Sequence, residues 1–265
     1  MTDRADDVIK ALRSGHDDLA ALVRGFTADD LARPSGASKW DISQVLSHLG
    51  SGAEINLAAV EGALNGSGSP AGDFNQGVWA RWDAMSREER AEGFLTANET
   101  LVRRYEGLDE QTRESLRIDL GFLPAPIDVA TSGRMRLNEF AHHTWDVKVA
   151  FDPKATLAPE ATPLLFAQVD MFLAFVGKPA ELGGGPVRIA VNTTDPERSF
   201  GLEVSSEKMA FIDAPDNPDA VLTAPAEWWQ RLVTGRHAPE HTPDTVTLTG
   251  STITLDDLRR VFPGF

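Results

Sequence analysis

Glu139 and His143 stand four residues apart in the stretch Asn138-Glu139-Phe140-Ala141-His142-His143-Thr144-Trp145-Asp146-Val147. On a helix that spacing puts a carboxylate and an imidazole one turn apart on one face, where both reach a single divalent ion without distorting the backbone. His48, three residues after Val45 in a separate apolar-striped segment, is the candidate third ligand. Two imidazoles and a carboxylate make the open three-ligand set used by catalytic zinc, which leaves a coordination position for water or substrate. His142 competes with His143 but points about 100 degrees away around the helix, so only one of them shares Glu139's face. Asp146, three residues beyond His143, is spaced to hold the free ring nitrogen of that histidine or to bind substrate directly. Each residue also has an ordinary reading. Taken singly, His48 reads as a core imidazole, Glu139 and His143 as a solvated helix face, and Asp146 as a surface charge; it is the three-ligand set together that points to a metal.

Other candidates are weaker. His16, His237 and His241 have no spacing that recommends them, and Trp40 and Trp145 read as core. Gly235-Arg236 follows an apolar helical segment, where a glycine stop and an arginine near the negative end of the dipole need no substrate to explain them. The chain contains neither a glycine-rich phosphate loop nor a Gly-x-Ser-x-Gly elbow, which argues against nucleotide binding and serine-hydrolase chemistry.

The elements that must position these residues are mostly helical in the first half. Apolar residues recur at helical spacing from Thr2 to Val23, from Lys39 to Leu64, from Ser86 to Glu106 and from Arg134 to Phe151. Thr27 is spaced to cap a short turn, and Asn65 to Gly72 is a flexible loop. Glycines and prolines between residues 107 and 133 break any long helix there. Four principal helices of this kind form a bundle, an architecture that builds metal sites from facing helices. Asp152-Pro153-Lys154 marks a change of character, and the domains are set at 1–155 and 156–265. Beyond it, Leu164 to Val176 reads as helix, and Val187–Val191, Phe200–Val204, Ala210–Ile212, Ala220–Thr223 and Thr245–Gly250 read as strands. Ala224 to Val233 and Thr254 to Phe262 read as helices, the second capped by Thr254. The fold class is therefore α+β, a helical bundle followed by a small α+β domain.

Composition bounds the function. The 265 residues carry a formal net charge of −15, which argues against broad nucleic-acid or anionic-membrane binding. No apolar run approaches the roughly 20 residues that span a bilayer, and the N-terminus lacks a basic segment followed by an apolar one, so a cytoplasmic location is expected. With no cysteine, disulfides and thiolate ligands are excluded, and any thiol chemistry needs a thiol brought from outside.

The stretches Trp40-Asp41-Ile42-Ser43-Gln44-Val45-Leu46-Ser47-His48-Leu49 and Glu139 to Val147 resemble the two-domain, mycothiol-dependent maleylpyruvate isomerase-like family of the DinB superfamily. Leu222-Thr223-Ala224-Pro225 through Gly235-Arg236, and the ending Val261-Phe262-Pro263-Gly264-Phe265, are similar to that family's second domain. The resemblance implies a DinB-like four-helix bundle holding a divalent metal, usually zinc, on the positions matching His48, Glu139 and His143. It implies a sterol-carrier-protein-like second domain closing over the metal cleft, with an arginine, here aligned with Arg236, that binds a dicarboxylate substrate. Mycothiol is the implied cosubstrate, a low-molecular-weight thiol that adds to a small electrophile. The outcome is cis–trans isomerisation if the thiol leaves and S-transfer if it stays. A metal-dependent hydrolase and a noncatalytic small-molecule-binding or regulatory protein remain alternatives, and oligomeric state is not indicated.

Overall fold

The computed structural model describes residues 5–166, 176–182, 185–250 and 253–264. It divides into two compact units between Asp152 and Pro153, three residues before the boundary set from composition.

The first unit is built on helices α1 (Ala5–Val23), α3 (Ile42–Asn65), α5 (Arg87–Glu106) and α7 (Val129–Lys148). Helix α3 packs against α5 and α7, and α1 packs against the same two, so the four close into a bundle. Leu19, Val45, Leu46, Leu49, Phe94 and Phe140 are buried together in its interior, which follows from the apolar stripes in the sequence. Three helix starts are fixed by reciprocal caps: Thr27 with Asp30 before the short α2 (Ala28–Leu31), Asp41 with Gln44 before α3, and Ser86 with Glu89 before α5.

Two boundaries differ from expectation. Helix α3 begins at Ile42 rather than Lys39, because Asp41 takes the cap position. Helix α7 begins at Val129 rather than Arg134, since the Asp128 carboxylate caps it and Gly133 is buried mid-helix against Val8, where its missing side chain makes room. Helices α4 (Phe74–Asp83) and α6 (Glu110–Ser115) were not expected from periodicity, and a two-stranded ribbon, β1 (Arg117–Ile118) with β2 (Ile127–Asp128), leads into α7. Among the described residues, no helix is long and apolar enough to cross a membrane.

The second unit is a five-stranded sheet with helices. Strands β3 (Val187–Thr194), β4 (Arg198–Val204), β5 (Met209–Ile212), β6 (Ala220–Pro225) and β7 (Thr247–Thr249) lie in the order β5-β4-β3-β6-β7, with only β3 and β6 parallel. Alternate residues of β3, Val187, Ile189 and Val191, face a core shared with Trp228, Trp229, Leu232, Val261 and Phe262. The last five come from α9 (Ala226–Val233), from α10 (Leu255–Val261) and from the residue that ends it; a short α8 (Thr162–Leu165) precedes the sheet. Thr254 caps α10 together with Asp257, as its sequence position predicts. Most of the helix expected from Leu164 to Val176 lies outside the described residues. Together the bundle and the sheet unit make the chain an α+β protein.

Candidate metal centre

His48 is carried by α3, and Glu139 and His143 by the neighbouring α7. Their ligand atoms all lie within 4.8 Å of one another. Nε2 of His48 is 3.2 Å from Oε2 of Glu139, Nε2 of His143 is 3.7 Å from the same oxygen, and the two imidazole rings are 4.7 Å apart at their centres. The i,i+4 geometry of α7 and the packing of α3 on it thus bring together the three residues singled out by spacing.

The surroundings differ on the two sides of the trio. Behind it, His143 Nδ1–H donates to Oδ2 of Asp146 at 2.7 Å, and Asp146 is fully buried. That bond fixes the tautomer, leaving the Nε2 lone pair of His143 on the Glu139 side. Asp146 is held in turn by the loop 34–38: Gly36 N–H donates to the Asp146 carbonyl at 2.8 Å, and a side chain at Gly36 would meet Asp146 Oδ1 at 3.0 Å. In front, the side chains of His48 and Glu139 are 37% and 50% exposed, so the donors open toward solvent. Trp40, expected in the core, is only half-buried and lies beside both imidazoles, at 5.2 and 5.8 Å between ring centres. Trp145 is core, as expected. His142 is buried, with Nδ1 bonded to the Asn138 carbonyl at 2.8 Å, and does not join the trio.

Beneath the site lies a residue that spacing alone did not select. Arg136, 3% exposed, donates through Nη2 to the Leu49 carbonyl at 2.7 Å and to Asn98 Oδ1 at 2.8 Å. Burial pulls its pKa down to about 10, which still leaves it charged at neutral pH. Partial desolvation works to raise the Glu139 pKa, but the hydrogen bond from His48 and the electrostatic attraction of its neighbours His143, His48 and Arg136 outweigh it and hold the carboxylate at about 2. Glu139 is therefore an anion, the form a metal needs. The one sequence signal for Arg136 was its position three residues before Glu139 on the same helix face, which hydrophobic patterning treats as a solvated charge.

Arg236 belongs to the second unit. It follows Gly235, whose φ of +80° ends α9: Gly235 N–H bonds the Leu232 carbonyl and Arg236 N–H bonds the Arg231 carbonyl at 2.7 Å. Its Nη1 donates to the Thr234 carbonyl at 3.2 Å. Helix termination thus accounts for Gly235-Arg236 as a pair, and a role in chemistry for Arg236 needs separate support.

The fold and this trio define a class: a helical bundle with an open bis-histidine, glutamate cluster, joined to an α+β unit. The family model described as the mycothiol maleylpyruvate isomerase N-terminal domain matches residues 12–148, more than half of the chain, and the chain belongs to that family. Two solved structures resemble nearly the whole chain: the crystal structure of the mycothiol-dependent maleylpyruvate isomerase, and that of a histidine-to-alanine mutant of it. Each aligns at a TM-score of 0.64 and 13% identity, covering 93% of this chain and 93% of the other. At that identity the likeness carries the fold. No curated protein matches the sequence.

Proposed function

We propose that the protein is a mycothiol-using enzyme that holds a divalent metal, zinc being the simplest match, on His48, Glu139 and His143, and works as a maleylpyruvate isomerase-like isomerase or as a thiol S-transferase. The observation that carries this reading is the trio itself: three neutral or anionic donors from two helices, oriented from behind by Asp146 and open in front. An ion held there would favour the thiolate form of an incoming thiol at neutral pH, as bound dications do for coordinated thiols. Family membership points to mycothiol as that thiol, and a chain without cysteine has no competing thiol of its own.

The residues have separate tasks. With a metal bound, His143 would present its Nε2 lone pair and His48 would do the same once its Nε2 gives up the proton it shares with Glu139; Glu139 supplies the negative charge, and Asp146 keeps His143 in the required tautomer. The thiol loses its proton to solvent, and its sulfur forms a bond to one carbon of the electrophile. In isomerisation a cis double bond becomes a single bond, rotation follows, and the carbon–sulfur bond breaks to restore the double bond and the thiol. In S-transfer the bond persists and the former double bond takes up a proton. For Arg236 the reading rests on the family resemblance: it is proposed to pair with a carboxylate of the substrate, for which a guanidinium is well suited.

The test is turnover of maleylpyruvate by metal-loaded protein with and without mycothiol. The expected result is cis-to-trans conversion, or a mass-detected thiol adduct, that requires both mycothiol and an intact His48. Hydrolysis without thiol, or thiol-dependent turnover unaffected by His48→Ala, contradicts the reading.

A further inference from the structure

A recess in the first unit has His48 on its wall, while Glu139 and His143 are not among its lining residues. It is a cavity of about 210 Å³ whose lining includes Trp40, Gln44, Ser47, Ser51, Trp79 and Asp83. Whole-ligand pockets begin at roughly 300 Å³, so a space of this size suits one ring of a larger molecule.

Helix α4 delivers Trp79 to this recess and is fastened there by its neighbour. Trp82, 1% exposed, sits between α3 and α5 where two glycines leave room: a Cβ on Gly50 would lie 2.1 Å from the indole, and one on Gly93 2.9 Å. The Trp82 N–H donates to Glu54 Oε1 at 3.1 Å, and Arg90 donates to the carbonyls of Trp82 at 3.3 Å and Asp83 at 2.8 Å. Trp79, one turn earlier, is thereby held in place at 49% exposure. About half of the indole is covered by the bundle and the rest is presented to the recess and to solvent.

Ser51 Oγ donates to the His48 carbonyl at 3.1 Å, but other polar groups of the lining are unspent. Ser47 is 7% exposed, lines the cavity, and its hydroxyl has no hydrogen-bond partner among the described residues. The Gln44 carboxamide oxygen is used in capping α3, which leaves its N–H₂ group, and the Asp83 carboxylate is exposed. An apolar ligand would leave these groups unpaired. An anionic ligand would meet the Asp83 charge, with the Arg90 guanidinium already engaged by backbone carbonyls. A neutral ring bearing several hydroxyls satisfies both conditions, its C–H faces against indole and its hydroxyls against Ser47, Gln44 and Asp83.

We propose that this recess is the subsite for a polyhydroxylated ring of the thiol cosubstrate, an inference that rests on the thiol-enzyme reading above. Mycothiol carries its thiol on a glucosamine–inositol unit, and the recess adjoins the ligand His48, where a tethered thiol has to arrive.

The probe is N-acetylglucosaminyl-inositol, which is neutral and has no thiol, titrated calorimetrically into the zinc-loaded protein. Saturable binding is expected, weakened about tenfold by Trp79→Ala, less by Trp79→Phe, and unchanged by Leu22→Ala, an exposed residue of α1 outside the recess lining. In turnover, Trp79→Ala should raise KM for mycothiol about tenfold while KM for N-acetylcysteine stays put, with melting temperature as the check on folding. Absence of saturable binding to the unmodified protein, or equal binding to Trp79→Ala, overturns the subsite. The two readings fail separately. Fragment binding without turnover on any thiol leaves the subsite standing and removes the thiol enzyme; equal turnover with both thiols and no fragment binding does the reverse.

Discussion

Two histidine–carboxylate clusters lie in the same helical bundle, and both bring three potential ligand atoms within 4.8 Å of one another: His48, Glu139 and His143, and His16, Asp17 and Glu99. They are built for opposite ends. In the second cluster every donor is already spent. Arg13 bonds Glu99 at 2.6 Å and Asp17 at 3.2 Å, and also holds Glu106 at 2.9 Å; with Arg13 and Arg103 bonded to it, Glu99 sits at a pKa of about 2 against the pull of burial. Arg136 can only donate, so Asn98 turns its oxygen to Arg136 and its N–H₂ group to His16 Nδ1 at 2.9 Å. His16 must then carry its proton on Nε2, facing Glu99 at 3.1 Å. An ion there would have to displace a guanidinium and break a buried hydrogen bond. Around His48, by contrast, His143 gives its Nδ1 proton to Asp146, on the far side from the donors, the hydrogen bond of His48 goes to Glu139 within the trio itself, and the front is open. Donor spacing is thus common to both clusters, and what separates a ligand set from a polar brace is where the competing cation and the second ring nitrogen are placed.

The comparison is broken most severely by removing a ligand. His48→Ala should lower thiol-dependent turnover by about a thousandfold, the loss expected when a site's Lewis acid goes, while His16→Gln should leave turnover within about threefold. Next, Asp146→Asn should weaken metal binding by about 10- to 100-fold, read by competition with a chromogenic chelator, because the His143 tautomer is no longer enforced. Arg136→Met leaves two buried acceptors, the Leu49 carbonyl and Asn98 Oδ1, without their donor; denaturant unfolding should show a loss of about 2–3 kcal/mol with metal content retained.

A smaller effect concerns pH. Burial holds the His16 pKa below its ordinary 6.5, outweighing the attraction of Glu99. A depressed folded pKa means that the unfolded chain binds the extra proton first, so this contribution is complete above 6.5 and is lost as pH falls from there through the lower folded value. The melting temperature of the bundle should therefore decline over that window, and His16→Gln should flatten the decline.

Much of this was legible in the chain, for physical reasons. The bundle helices declare themselves by apolar periodicity, and Glu139, His143 and Asp146 lie on one helix, where sequence spacing is spatial spacing. His48 required a guess about which helices face each other. The His16 to Glu99 contact spans the bundle, so spacing reveals nothing of it; the only local sign was that His16 falls on the stripe of Leu12 and Leu19, where a buried polar group has to find a partner. Helix α4 escaped because it is short and, of its larger apolar residues Phe74, Val78, Trp79 and Trp82, only Val78 and Trp82 are buried, too few for a legible stripe. Arg236 is a different case: the glycine before it ends a helix whatever Arg236 does, so its sequence position cannot distinguish a helix terminus from a substrate contact.

The central claim, that one cluster binds metal and the other braces the bundle, is tested most directly by metal content. The unmodified protein, His16→Gln and His143→Ala would be purified identically, loaded with zinc, desalted and analysed by mass spectrometry for bound metal. The account predicts one equivalent in the first two and almost none in His143→Ala. A full equivalent in His143→Ala, or its loss in His16→Gln, would contradict it.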